Sequence, residues 1–76
     1  DAPRVRLWWH PWQPGQDTLA FLAADLARTW PGQTPLLART PAGKPVLSGI
    51  PGHVGASHSG PTLVLAHADR PVGVDV

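Results

Sequence analysis

The sequence predicts an α+β domain, and three observations carry that prediction. An alternating run opens the chain, a stretch with a period of three to four follows, and short apolar runs between tight turns close it. Alternation is the period of a strand, and a spacing of three to four is that of a helix. The links between the last runs are too short for parallel strands, which need a crossover of about a dozen or more residues. Antiparallel strands segregated from one helix define the α+β class.

The first element is RVRLWWH, residues 4 to 10. Val5, Leu7 and Trp9 share one side of a strand there, and Arg6, Trp8 and His10 share the other. Pro11 to Gly15 break it. From Gln16 to Trp30 the spacing of Leu19, Leu22, Leu26 and Trp30 predicts an amphipathic helix. Asp17 is suited to its cap or first turn and Arg28 to its last turn, and Pro31-Gly32 stops it. Residues 31 to 52 are rich in turns, and Leu36-Leu37 and Val46-Leu47 are read there as brief strands or as plugs under loops. Three strands then follow over 53–58, 62–68 and 72–76, linked by Ser59-Gly60-Pro61 and Asp69-Arg70-Pro71. The expected architecture is a three-stranded antiparallel meander with the N-terminal strand nearby, packed on the helix, as one domain over 1–76.

Composition narrows the function classes. A chain of 76 residues near this size buries only ~60% of the surface its unfolded form exposes, so its core is marginal. There is no cysteine, which rules out disulfides and thiolate metal sites. Partner or second-half stabilisation is then one support open to so small a core. The net charge is +1, and the six basic residues are scattered rather than striped, so no nucleic-acid partner is expected. No apolar stretch approaches the ~18 residues of a membrane span. The opening DAPRVRLWWH lacks the apolar core of a signal peptide. The expected location is the cytoplasm.

Several residues can carry chemistry. In VGVDV, Val72, Val74 and Val76 share one face while Gly73 and Asp75 share the other. Glycine leaves room beside the acid, so Asp75 is read either as a Mg²⁺ ligand or as a solvated strand-end acid. Ser57 and His58 are adjacent on a strand and point to opposite faces, so they do not form a nucleophile–base pair. His58, beside a Ser/Gly turn, can bond a phosphate or take a proton near neutral pH, or can be satisfied by backbone. The other histidines, His10, His53 and His67, have no tight ligand spacing with it, which argues against zinc. The tryptophans Trp8, Trp9, Trp12 and Trp30 read as core and rim. Lys44 sits in a Gly-Lys-Pro turn that suits a phosphate partner or plain solvent, and Arg39 is close enough in sequence to join it. A Walker loop is excluded, because GKP lacks the following Ser/Thr and the upstream glycine.

Three motifs in order, GKPVL (43–47), SHSG (57–60) and PVGVD (71–75), resemble the N-terminal half of a 4′-phosphopantetheinyl transferase of the large type that activates peptide and polyketide synthetases. The resemblance covers 39–76, about half the chain, and the Leu-Trp of the opening strand is also similar. It implies one of two similar α/β halves, with coenzyme A held between them. It also implies transfer of the phosphopantetheine arm of coenzyme A to a serine of an acyl or peptidyl carrier protein, with Mg²⁺. On that resemblance, Asp75 is a Mg²⁺ ligand, His58 contacts a coenzyme A phosphate, and Lys44 and Ser57 line the nucleotide. Arg39 or Arg28 would stand in for the family's basic residues at the 3′-phosphate. The resemblance stops one residue short of the family's second metal-binding acid, and the Trp-x-x-Lys-Glu motif of its second half has no counterpart in the 76 residues. The expectation is therefore a fragment or truncated form, inactive alone. The competing expectation is a small non-catalytic module that dimerises, or docks a partner or complementary half, through an open sheet edge.

Overall fold

The computed structural model describes residues 4–71. The elements run β1 (Val5–Pro11), α1 (Thr18–Thr29), β2 (Leu36–Arg39), β3 (Pro45–Ser48), β4 (His53–Ser59) and β5 (Thr62–Ala68). The fold is α+β with antiparallel pairing throughout the described residues. The strand expected over 72–76, with Asp75, lies outside them.

β5 is the centre of a three-stranded sheet ordered β1-β5-β4. It pairs with β4 through the Gly60-Pro61 turn, in which Ser59 faces Thr62. Gly60 turns the chain with φ +54, a value glycine takes at no steric cost. On its other side β5 pairs with β1 along seven residues, from Val5↔Ala68 to Pro11↔Thr62. The Leu36-Leu37 and Val46-Leu47 patches are strands, paired as a separate hairpin, β2-β3.

Cross-strand partners share a face, so the registers assign the sheet's two sides. The inner side carries Trp8, Leu63, Leu65, Val54 and Ala56, packed with Leu22 and Leu26 of α1 and with Ile50. Leu22, Leu26, Leu63 and Leu65 are fully buried. The alternation read in β1 holds, and its more apolar side is the one turned outward. Val5, Leu7 and Trp9 are 47%, 50% and 63% exposed.

Helix α1 starts where Asp17 caps it: the Asp17 carboxylate accepts from Leu19 N at 3.0 Å. Such a cap is worth about 1 kcal/mol. It ends at Trp30, whose N–H donates to Leu26 O at 3.0 Å.

One glycine is required by close approach. Gly52 has φ +122, and a Cβ there would collide with the His67 ring. That ring is buried; its Nε2 donates to Pro51 O at 2.9 Å, and the Trp30 ring lies tilted against it at 4.7 Å. The carbonyl can only accept, so Nε2 carries the proton. Gly52→Ala is therefore expected to cost about 2 kcal/mol, from backbone strain plus displacement of the imidazole. Urea unfolding measures this, and a variant as stable as the parent would mean that the 50–53 turn relaxes freely.

Candidate functional site

Two groupings of polar residues stand out, one open and one buried. The open one is a cleft of about 300 Å³ lined by Trp12, Gln16, Thr18, Arg39, Gly43, Pro45, Ala56, Ser57, His58 and Leu63. It lies where the N-terminal end of α1, the β2-β3 hairpin and the C-terminal part of β4 meet.

Arg39 ends β2 and is held by two contacts. Its Nη1 donates to Gly43 O at 3.0 Å and its Nη2 to Thr18 Oγ1 at 2.6 Å. The guanidinium thus ties the hairpin loop to the first turn of the helix. Among the described residues it has no acidic partner. Loop 40–44 is also closed by Thr40, which donates to Lys44 O at 2.8 Å and whose hydroxyl accepts from Lys44 N at 3.1 Å. Lys44 is exposed on this ordered loop, between Gly43 and Pro45, both of which line the cleft.

His58 sits near the end of β4, and its ring stacks on Trp12 with centroids 4.0 Å apart and planes at 24°. Stacking orients the imidazole without using either ring nitrogen. Ser57 pairs with Val64 and His58 with Leu63, so their side chains leave opposite faces of the strand. Both border the cleft, but Ala56, His58 and Leu63 share the inner face from which it opens, whereas the Ser57 side chain leaves the outer face with Val64 and Trp9. The structure therefore brings Arg39 and His58 together, with Ser57 at the cleft's border and Lys44 on the adjoining loop. Trp12, Gln16 and Thr18 join them, and the sequence alone did not point to these as site residues. Trp12 Nε1 is buried with no acceptor among the described residues.

The buried grouping centres on Asp25, whose side chain has no exposed surface. His10 Nε2 donates to its Oδ2 at 2.6 Å, and Arg28 Nη2 donates to its Oδ1. Arg28 is thereby committed to Asp25, and it does not line the cleft. Of the two arginines considered for a 3′-phosphate, Arg39 is the one at the cleft. The sequence carried a signal for the buried cluster: Asp25 falls between Leu22 and Leu26 on the apolar stripe of α1. An acid on such a stripe needs a cation or donors beside it.

Among the described residues no three His, Asp, Glu or Cys side chains converge as a metal set. Asp75, the expected metal ligand, lies outside those residues. His53 is exposed on β4, while His10 and His67 are engaged as described. Among the described residues no helix is long and apolar enough to cross a membrane. No family model, curated protein or solved structure matches this chain.

Proposed function

We propose that this chain forms the nucleotide-holding part of a 4′-phosphopantetheinyl transferase-type site. The observation that carries the reading is the cleft in which Arg39 and His58 meet, bordered by Ser57, beside the Lys44 loop. The GKP and SHS motifs are separated in sequence, yet both border this one cleft. A cleft with an arginine that has no carboxylate partner among the described residues, one oriented histidine and an adjoining lysine suits a phosphate-bearing ligand. Coenzyme A carries such phosphates.

Phosphoryl transfer depends mainly on positioning and charge neutralisation. In this reading the serine oxygen of the carrier protein bonds to the phosphorus bearing the pantetheine arm. The phosphorus–oxygen bond to 3′,5′-ADP breaks, and the serine proton leaves to a base supplied by a complementary half. Arg39 offers planar paired donors to a phosphate, His58 adds one ring nitrogen, and Lys44 adds a mobile positive charge. The described residues supply these anion contacts and no metal ligand set; Mg²⁺ with Asp75 as its ligand belongs to the resemblance. The chain alone is expected to bind coenzyme A weakly and to transfer nothing.

The test is reconstitution. The chain is mixed or co-expressed with the second half of a large-type transferase, then given coenzyme A, Mg²⁺ and an apo carrier protein. Mass spectrometry of the carrier protein is expected to show the added arm only when both halves are present. No transfer by a pair shown to associate would sink the reading.

A second reading, a non-catalytic module that docks a partner through a sheet edge, is favoured by one observation. Among the described residues, β1 is paired on one side only.

A further inference from the structure

The outer edge of β1 has the features of a docking strand. The strand is seven residues long and pairs in unbroken register with β5, so it has no bulge to twist its edge away. Its outward backbone groups meet no strand among the described residues. Native sheets blunt such edges with lysines, prolines, bulges or short length. Here Pro11, the last residue, and the inward-facing Arg6 serve that purpose, while the outer-face side chains do not. The side chains that border the edge on the outer face are apolar and about half or more exposed: Val5, Leu7 and Trp9.

Charge decides between occupants. The charged residues of β1 and its lead-in are Arg4 and Arg6, and the strand itself carries no acid; Asp69, which accepts from Arg4 N at 3.2 Å, is paired with Arg70 at 3.6 Å. The Arg6 guanidinium stands 5.4 Å from the centroid of the Trp30 ring, which holds it beside the sheet. A second copy pairing edge to edge would bring another Arg4 and Arg6 to the same seam. Antiparallel pairing in full overlap sets Arg6 opposite His10, and the second β1 supplies no acid to either guanidinium. An extended peptide with acidic side chains beside Arg6 and apolar ones beside Leu7 and Trp9 would satisfy both faces.

We propose that the β1 edge takes up, by strand addition, an extended peptide segment of alternating apolar and acidic residues. Main-chain hydrogen bonds would supply affinity, and the two side-chain faces would supply selectivity. The inference deepens the docking-module reading, by naming the partner's chemistry, and is independent of transfer at the cleft.

The test uses fluorescence anisotropy of a labelled peptide of alternating Val and Glu against the full chain. A Val/Lys peptide and a copy of the acidic peptide N-methylated on one edge serve as controls. The acidic peptide is expected to bind about tenfold tighter than the lysine peptide. N-methylation of the edge that faces β1 is expected to abolish binding, since it removes donors without touching the protein. Arg6→Glu is expected to reverse the preference, and Trp9→Lys to weaken binding of either peptide. Arg39→Ala, at the cleft, leaves peptide binding unchanged. Equal binding of both peptides, or binding indifferent to N-methylation, overturns the inference. Self-association through β1 that excludes the peptide, seen by sedimentation, also overturns it but leaves the docking-module reading standing. Neither peptide binding nor self-association removes both.

Discussion

Asp25→Ala is expected to destabilise the domain by about 3 kcal/mol, the lower end of the range for breaking a buried ion pair. The lower end applies because the two partners left behind can recover. The His10 side chain is 23% exposed and Arg28 is 65% exposed, so both can reach water once the carboxylate is gone. For a domain of this length the loss corresponds to a fall of roughly 12–24 °C in Tm. A small core has little reserve, so much of the variant population would be unfolded near body temperature. His10→Ala is expected to cost less, about 2 kcal/mol, because Asp25 keeps Arg28. It also removes the ring that packs at 5.1 Å from Phe21. Chemical denaturation followed by far-UV circular dichroism measures both. The double variant is expected to show a coupling of about 1 kcal/mol or more between His10 and Asp25. If Asp25→Ala unfolds within about 0.5 kcal/mol of the parent, as a neutral surface substitution does, the cluster does not bind β1 to α1.

That cluster also shows which parts of the fold the sequence made legible. Local signals read well. Asp17 and the pair Pro31-Gly32 bracket a helix that runs Thr18–Thr29. The link at Gly60 makes β4 and β5 neighbours, because so short a turn permits nothing else. Long-range pairing left no such trace. β1 and β5 pair residues more than fifty positions apart, Pro11 with Thr62 being the nearest. No turn residue encodes that choice. The sidedness of β1 was hidden for a related reason. Val5, Leu7 and Trp9 are the more apolar set, yet the inward side is the one with Trp8 and His10. His10 can face inward because Asp25 waits there, and a pair split between a strand and a helix is visible only once both are placed.

The cleft shows the same division. Lys44, Ser57 and His58 were legible as motif residues, and Arg39 as their neighbour in sequence. Trp12 was not, because a tryptophan after a strand reads as rim. Its role depends on the stacking of His58, which belongs to the tertiary structure. Thr18 was missed for the same reason: its hydroxyl matters only because the hairpin brings Arg39 to it.

Arg39→Ala is expected to weaken coenzyme A binding by the reconstituted pair about 30-fold or more. A hydrogen bond to a charged group is worth about 1.5–3 kcal/mol, and a guanidinium can make two to one phosphate. The stability cost is expected to be smaller, under about 1 kcal/mol, because Arg39 is exposed and its two protein contacts lie at the surface. The signature is thus a large loss of binding with little loss of fold. Arg39→Lys separates charge from geometry. It keeps the charge and loses the fork, so about a tenfold loss is expected. His58→Ala is also expected to cost about tenfold, one charge-assisted hydrogen bond. It would further unstack Trp12, a change visible in tryptophan fluorescence. In transfer assays these variants are expected to raise KM more than they lower kcat, because they hold parts of coenzyme A away from the reacting phosphorus. Asp75→Ala would do the reverse, abolishing turnover while leaving binding largely intact, if the family's metal role carries over to it. Calorimetry with coenzyme A and with 3′,5′-ADP, set beside the transfer rates, resolves these patterns. Binding by Arg39→Ala and His58→Ala indistinguishable from that of the parent pair would mean that the nucleotide lies elsewhere, and the cleft would lose its part in the proposed function.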